Sequence, residues 1–142
     1  MKEVKTNAMR ILDKQKLAYQ VHSYPHHEKE AVDGVSVAAM LNEDPAHVFK
    51  TLITQASSKA YYVFVIPVAD ELDLKKAAKA VGEKAVELIP VKNLFSVSGY
   101  IRGGCSPIGM KKQFKTVIDL TAEEREEIIF SGGRLGVQIK MA

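Results

Sequence analysis

The residues of greatest chemical potential lie in Gly99-Tyr100-Ile101-Arg102-Gly103-Gly104-Cys105-Ser106-Pro107-Ile108-Gly109 and, far upstream, at Lys50. Four glycines let this backbone adopt positive φ and approach a ligand with no Cβ in the way, while Pro107 stiffens the turn. Amides of such a loop that point into one concavity form a nest for a phosphate, a carboxylate or a developing oxyanion. A tight connection between two strands would use the same residues. Lys50 stands in Phe49-Lys50-Thr51-Leu52-Ile53-Thr54, a strand pattern that puts Phe49 on one face and Lys50 on the other. An unpaired buried ammonium is costly, so Lys50 faces either a pocket or solvent. Cys105, the single cysteine, is a potential nucleophile if loop amides lower its pKa. No histidine adjoins it, and a lone cysteine is more commonly a small buried apolar residue. No Ser/His/Asp constellation is visible. His22, His26 and His27 lie close in sequence, but adjacent loop histidines converge poorly on one ion and no Cys or carboxylate spacing completes a set. Neither a metal nor a cofactor is expected.

Charge adds a partner class. From Gly99 through Lys115 there is no acidic residue, whereas Arg102, Lys111, Lys112 and Lys115 are basic, so the glycine loop leads into a positive patch suited to an RNA backbone. Lys75, Lys76 and Lys79 either extend that patch or form a solvated helix face. The net charge of +3 over 142 residues is too small to indicate a nucleic-acid partner by itself. With 46% apolar and 26% charged residues, no linker and no repeat, residues 1–142 read as one globular domain. One cysteine, no apolar leader after Met1 and no long apolar run give a soluble, cytoplasmic reading without a membrane partner.

The elements that must position these residues follow from periodicity. Thr6 or Asn7 can cap a helix running to about Lys16, with Ala8, Ile11 and Leu12 on one stripe. Tyr19 to Tyr24 reads as a strand and Pro25 to Gly34 as a polar loop. Ser36 can cap a short helix over 37–41, and Asp44-Pro45 opens a second brief one. After the Phe49 strand, Ala60 to Ile66 is the most continuously apolar run and reads as a central strand. Asp73 caps a helix bearing Leu74, Ala77, Ala78 and Val81, ended by Gly82. Val86 to Ile89 is a short strand, and Pro90 opens a helical turn through Leu94 and Phe95 to Gly99. Beyond the glycine loop come a strand over Thr116–Leu120, a capping box at Thr121 and Glu124, and two strands, Glu127–Phe130 and Leu135–Lys140, around Ser131-Gly132-Gly133-Arg134. Strands and helices without a regular βαβ repeat predict an α/β (α+β) domain with a mixed, partly closed central sheet and surrounding helices.

Five pieces occur together in order: Lys5-Thr6-Asn7-Ala8; Val48-Phe49-Lys50-Thr51-Leu52; Pro67-Val68 with Glu71-Leu72-Asp73-Leu74-Lys75-Lys76; the Gly99 to Gly109 string; and Ser131-Gly132-Gly133-Arg134 with Gly136. Spanning nearly the whole chain, this set resembles the YbaK family of aminoacyl-tRNA deacylases, related to the editing domain of bacterial prolyl-tRNA synthetases. The resemblance implies that Lys50 is the essential site residue and that Ser131 and Gly132 line the same pocket as Gly103, Gly104, Cys105, Ser106 and Pro107. Thr51 and Ser131 would orient substrate through their hydroxyls, and Tyr24 would shape the pocket by stacking on the terminal adenine. Arg102, Lys111, Lys112 and Lys115 would hold the tRNA. The family further implies removal of cysteine from Cys-tRNA(Pro), with Cys-tRNA(Cys) as a further candidate substrate, by attack of the substrate's own thiol on its ester, beside prolyl-tRNA synthetase and with RNA rather than DNA as partner. An alanyl-tRNA(Pro) deacylase using water and a non-catalytic tRNA- or synthetase-binding module are the alternatives. Gln138 departs from the aspartate that some members carry near the end of the last strand, so a carboxylate role is not transferred there.

Overall fold

The computed structural model describes residues 5–24, 34–101, 104–110, 114–124, 126–134 and 137–141. Helix α1 (Asn7–Lys14) starts where Thr6 accepts a hydrogen bond from the Met9 amide. It buries Ala8, Met9 and Leu12, and it ends earlier than the expected Lys16, which has left-handed φ. Strand β1 (Gln20–Ser23) follows. Helix α2 (Gly34–Met40) contains Ser36 inside its first turn, which corrects the expectation that Ser36 caps it. A 3-10 turn (Pro45–His47), capped by Asp44, leads into β2 (Phe49–Ala56) and the hairpin partner β3 (Tyr61–Pro67). Asp73 accepts from the Lys75 and Lys76 amides to open α3 (Leu74–Ala80), beyond which Gly82 takes positive φ.

Strand β4 (Val86–Leu88) precedes α4 (Val91–Ser98), the helical segment expected between Pro90 and Gly99. Its C-terminus is closed by Gly99 at φ 86°, whose amide donates to Phe95 O. After the glycine loop come β5 (Lys115–Ile118), a 3-10 turn (Leu120–Glu124), β6 (Ile128–Ser131) and β7 (Val137–Met141). The capping residue of that last turn is Asp119, which accepts from the Thr121 amide and hydroxyl, and not Thr121 itself.

These elements form the mixed α/β domain that the sequence predicts, with its strands divided between two sheets. One is four-stranded, in the order β4-β2-β3-β5, antiparallel except for the parallel β3–β5 pair. The other is three-stranded and antiparallel, in the order β1-β7-β6. A parallel bridge between Val48 and Ile129 joins them. At this junction the Val48 amide donates to Pro45 O and the Val48 carbonyl accepts from the Val68 amide.

Alternation along β2 and β3 builds two cores. Phe49, Ile53, Val63 and Val65 point to one face and pack with Leu94 and Val97 of α4, Tyr100 and Cys105. Ala56 and Phe64 point to the other, against Ala77 and Ala78 of α3 and Val86. The second sheet buries Phe130 and Ile139 under Ala8, Met9 and Leu12 of α1. A small fourth cluster of Ala38, Val48, Val68 and Ile129 fills the seam between the sheets.

Candidate active site

A cavity of about 110 Å³ opens at that seam. The four-stranded sheet supplies Phe49, Lys50 and Thr51 from β2, with Val48 and Val68 flanking it. The three-stranded sheet supplies Ser131 from β6 and Gln138 from β7, which face each other in register, with Tyr24 just beyond β1. Val37 of α2 and Cys105 of the glycine loop complete the lining. Pockets for drug-sized ligands run to roughly 300–1,000 Å³, so this one suits a small group such as an aminoacyl side chain.

Five of the residues singled out from sequence, Tyr24, Lys50, Thr51, Cys105 and Ser131, therefore converge although more than a hundred positions separate the first from the last. Among the described residues Lys50 is the charged member of the lining and no carboxylate joins it. The ion pairs among the described residues, Lys5–Asp13 and Lys140–Glu43, leave its ammonium aside. Beside it, Thr51 Oγ1 is buried without a hydrogen-bond partner among the described residues. A buried hydroxyl left so is costly unless a ligand or water completes it. Tyr24 is 5% exposed, so its ring walls the cavity rather than offering an open face.

Cys105 is 8% exposed, and burial pushes its thiol up to about 11, only partly opposed by a hydrogen bond with the Ser98 hydroxyl. At neutral pH it is a protonated, apolar-walled thiol, the reverse of an activated nucleophile. Tyr100, at the head of the loop, is pushed up to about 12 by burial and secondarily by Cys105.

The rest of the loop is spent on holding its own shape. The Gly104 amide donates to Ile101 O, and the Ile108 amide to Ser106 Oγ of a fully buried side chain. The Tyr100 hydroxyl donates to Ile108 O, tying the two ends of the loop together, and Asn7 Nδ2 donates to Gly109 O at 2.9 Å. Gly109 has φ +80°, and a Cβ there would meet Asn7 Nδ2 at 2.8 Å and the Tyr100 hydroxyl at 2.9 Å. Pro107 faces a separate hollow with Ile11 and Phe114. Gly132 donates its amide to Val137 O and leaves no room for a Cβ, so it serves the β6–β7 hairpin. The Ser131 hydroxyl accepts from the Gly133 amide in the same turn.

Lys115 lies on β5 opposite Tyr62, at the far end of β3 from the Thr51–Val65 pair that marks the cavity. Three residues of strand, about 10 Å, separate those registers. Arg102, Gly103, Lys111 and Lys112 lie outside the described residues, as do His26 and His27. His22 Nε2 is 3.4 Å from Gln20 Oε1, and no group of three or more metal-binding side chains occurs among the described residues.

Sequence reasoning missed the apolar wall of Val37, Val48, Phe49 and Val68, and it gave Gln138 no place in the site. Gln138 is 6% exposed between two apolar strand residues, Val137 and Ile139, and that polar interruption was the available signal. It brings a neutral amide to the lining.

With this geometry in hand, comparison with known proteins is informative. A relative from Enterococcus faecalis, named as a candidate Cys-tRNA(Pro)/Cys-tRNA(Cys) deacylase, EbsC, is 46% identical over 138 residues, covering 97% of this chain and 84% of its own. The crystal structure of a hypothetical protein, APE2540, superposes with a TM-score of 0.85 at 20% identity, covering 96% of this chain and 89% of that one. That of a candidate trans-editing enzyme for prolyl tRNA synthetase gives 0.79 at 18%, covering 99% and 88%. These two likenesses concern the fold. The model of the aminoacyl-tRNA editing domain matches residues 28–142, and together with the 46% identical relative this shows that the chain belongs to the aminoacyl-tRNA editing domain family.

Proposed function

We propose that this protein is a trans-editing aminoacyl-tRNA deacylase that removes cysteine from Cys-tRNA(Pro), and from Cys-tRNA(Cys) as a second substrate, beside prolyl-tRNA synthetase. The observation that carries this reading is the small seam cavity, which among the described residues is lined by one cation, Lys50, and no carboxylate or imidazole, with Thr51 Oγ1 buried without a hydrogen-bond partner beside it. Membership of the editing-domain family and the name of the Enterococcus relative support the substrate class.

An aminoacyl ester is already activated, so cleavage needs positioning and charge stabilisation more than a strong base. Lys50 donates to the ester carbonyl as negative charge gathers on it, and Thr51 orients the same oxygen or its ribose neighbour. With no general base among the described lining residues and Cys105 held as a neutral thiol, the nucleophile in this reading is the cysteinyl side chain of the substrate. Its sulfur forms a bond to the carbonyl carbon, the carbon–oxygen ester bond breaks, and the thiol proton ends on the departing ribose hydroxyl. The amino acid leaves as a thiolactone and the tRNA leaves uncharged. Alanine has no thiol and is spared.

The test is release of labelled amino acid from Cys-tRNA(Pro), Ala-tRNA(Pro) and Ser-tRNA(Pro) by the intact protein, Lys50→Ala and Cys105→Ala. Cleavage of the cysteinyl ester alone, lost by a factor on the order of 10² or more with Lys50→Ala and kept with Cys105→Ala, is expected. Equal cleavage of the alanyl ester would overturn the substrate-thiol route and require an activated water. Absence of all cleavage would leave a binding module.

A further inference from the structure

Alternation along β7 sends its side chains to two different places. Ile139 and its register partner Phe130 are buried under α1. Gln138, one residue earlier, belongs to the opposite face and lines the seam cavity together with its own register partner, Ser131. Gln138 is buried, yet its side-chain amide makes no hydrogen bond with the described residues. The side chains that flank it across the sheet are engaged elsewhere. The Ser131 hydroxyl accepts from the Gly133 amide, and His22, its partner in β1, has Nε2 3.4 Å from Gln20 Oε1. A primary amide carries an acceptor oxygen and two donor hydrogens, and burying one without partners is costly. The cavity therefore has a second unmatched polar group, on the sheet opposite to Thr51 Oγ1.

We propose that Gln138 recognises the α-amino group of the bound aminoacyl ester, so that a free amine is part of what the site demands of its substrate. This rests on the deacylase reading and deepens it by naming a substrate group that a particular side chain reads. The argument is a matching of donors to acceptors. An aminoacyl ester brings a carbonyl that only accepts and an amine whose N–H groups need acceptors once they leave water. An ammonium has donors and no acceptor, so Lys50 serves the carbonyl and does nothing for the amine. Ser131 Oγ already takes the Gly133 amide, and Thr51 is carried on β2 with Lys50, where the carbonyl is held. The Gln138 amide oxygen remains, on the other sheet, so carbonyl and amine are held from opposite sides of the cavity. An uncharged acceptor also suits an uncharged amine. With Lys50 in the lining and no carboxylate among the described residues, a protonated amine would add a second positive charge with nothing to offset it.

The experiment compares two esters of one tRNA, the cysteinyl ester and the 3-mercaptopropionyl ester, which keeps the thiol and the carbonyl and lacks only the amine. Both are given to the intact protein and to Gln138→Met and Gln138→Leu, which fill the position without an amide, and kcat/KM is measured for each pair. The esters differ in intrinsic reactivity, and a substitution can disturb the fold, but both effects cancel when the ratio of the two esters is compared between proteins. That ratio should be about tenfold lower in each variant than in the intact protein. An unchanged ratio in both variants would overturn the proposal. Binding supplies the second measurement, with cysteine and 3-mercaptopropionic acid each joined to 3′-amino-3′-deoxyadenosine through an amide that is not cleaved. The intact protein should bind the cysteine conjugate more tightly, and the variants should lose that preference. Cysteinyl cleavage with a ratio indifferent to Gln138 leaves the deacylase reading standing without this role. A Gln138-dependent binding preference without cleavage of either ester does the reverse.

Discussion

Cys105 is where chemistry and stability meet in one side chain. Its thiol is held up to about 11 by burial against an ordinary value of 9.0, so the folded protein keeps a proton that the unfolded chain gives up. The resulting stabilisation is fully present below pH 9 and is lost as pH rises from about 9 to about 11. A two-unit separation corresponds to about 2–3 kcal/mol. The melting temperature of the intact protein should therefore fall more steeply across that window than that of Cys105→Ala. Parallel curves would show that the thiol is not buried as described. Tyr100 acts in the same direction from 10.0 to about 12, chiefly through its own burial, which both proteins keep; its smaller contribution from Cys105 goes with the thiol, so the difference reports the cysteine together with its effect on Tyr100. The same protonation means that iodoacetamide at pH 7.5 should label native Cys105 far more slowly than the denatured chain.

At the scale of elements, the glycine loop is held by a tyrosine and an asparagine from outside its turn. Tyr100 spans it to Ile108, Asn7 at the start of α1 holds Gly109 O, and the second glycine turn comes close enough that a Cβ on Gly133 would sit 3.2 Å from Tyr100 Cε1. Gly109→Ala forces a left-handed residue against both partners, and thermal unfolding should register a loss of at least about 1–2 kcal/mol. Tyr100→Phe, which leaves the Ile108 carbonyl without that partner, should cost about 1–3 kcal/mol. A stability unchanged by either substitution would show that the loop is not braced in this way. This bracing explains why short segments so distant in the sequence keep company. Their glycines were visible as glycines, but only the folded contacts assign them to turn geometry, as with Gly132 and Gly109, rather than to ligand contact. Helix caps at Thr6, Asp44 and Asp73 were legible because a side-chain oxygen beside a free amide is a local event. Ser36 and Thr121 were misleading for the same reason: each has the right chemistry, and a neighbour set the boundary first.

For the whole molecule, alternation in β2 and β3 made the strands readable, whereas the division into two sheets was not, since it depends on pairings between strands far apart in the sequence, such as β1 with β7 and β3 with β5. The cavity inherits that history. Lys50 and Thr51 are carried by one sheet and Ser131 and Gln138 by the other, and a bridge at Val48 and Ile129 joins them. The seam behaves as a caliper whose jaws are the sheets and whose setting screw is the cluster of Ala38, Val48, Val68 and Ile129. Ile129 is buried and is not among the described lining residues, but it packs against Val48 and Val68, which are. Ile129→Val, at a stability cost of about 0.5–1.5 kcal/mol, should therefore change the ratio of cysteinyl to larger aminoacyl esters cleaved, although position 129 never meets a substrate. Selection acting on such a chain could retune which amino acid is edited from behind the wall, leaving every group that handles the ester untouched.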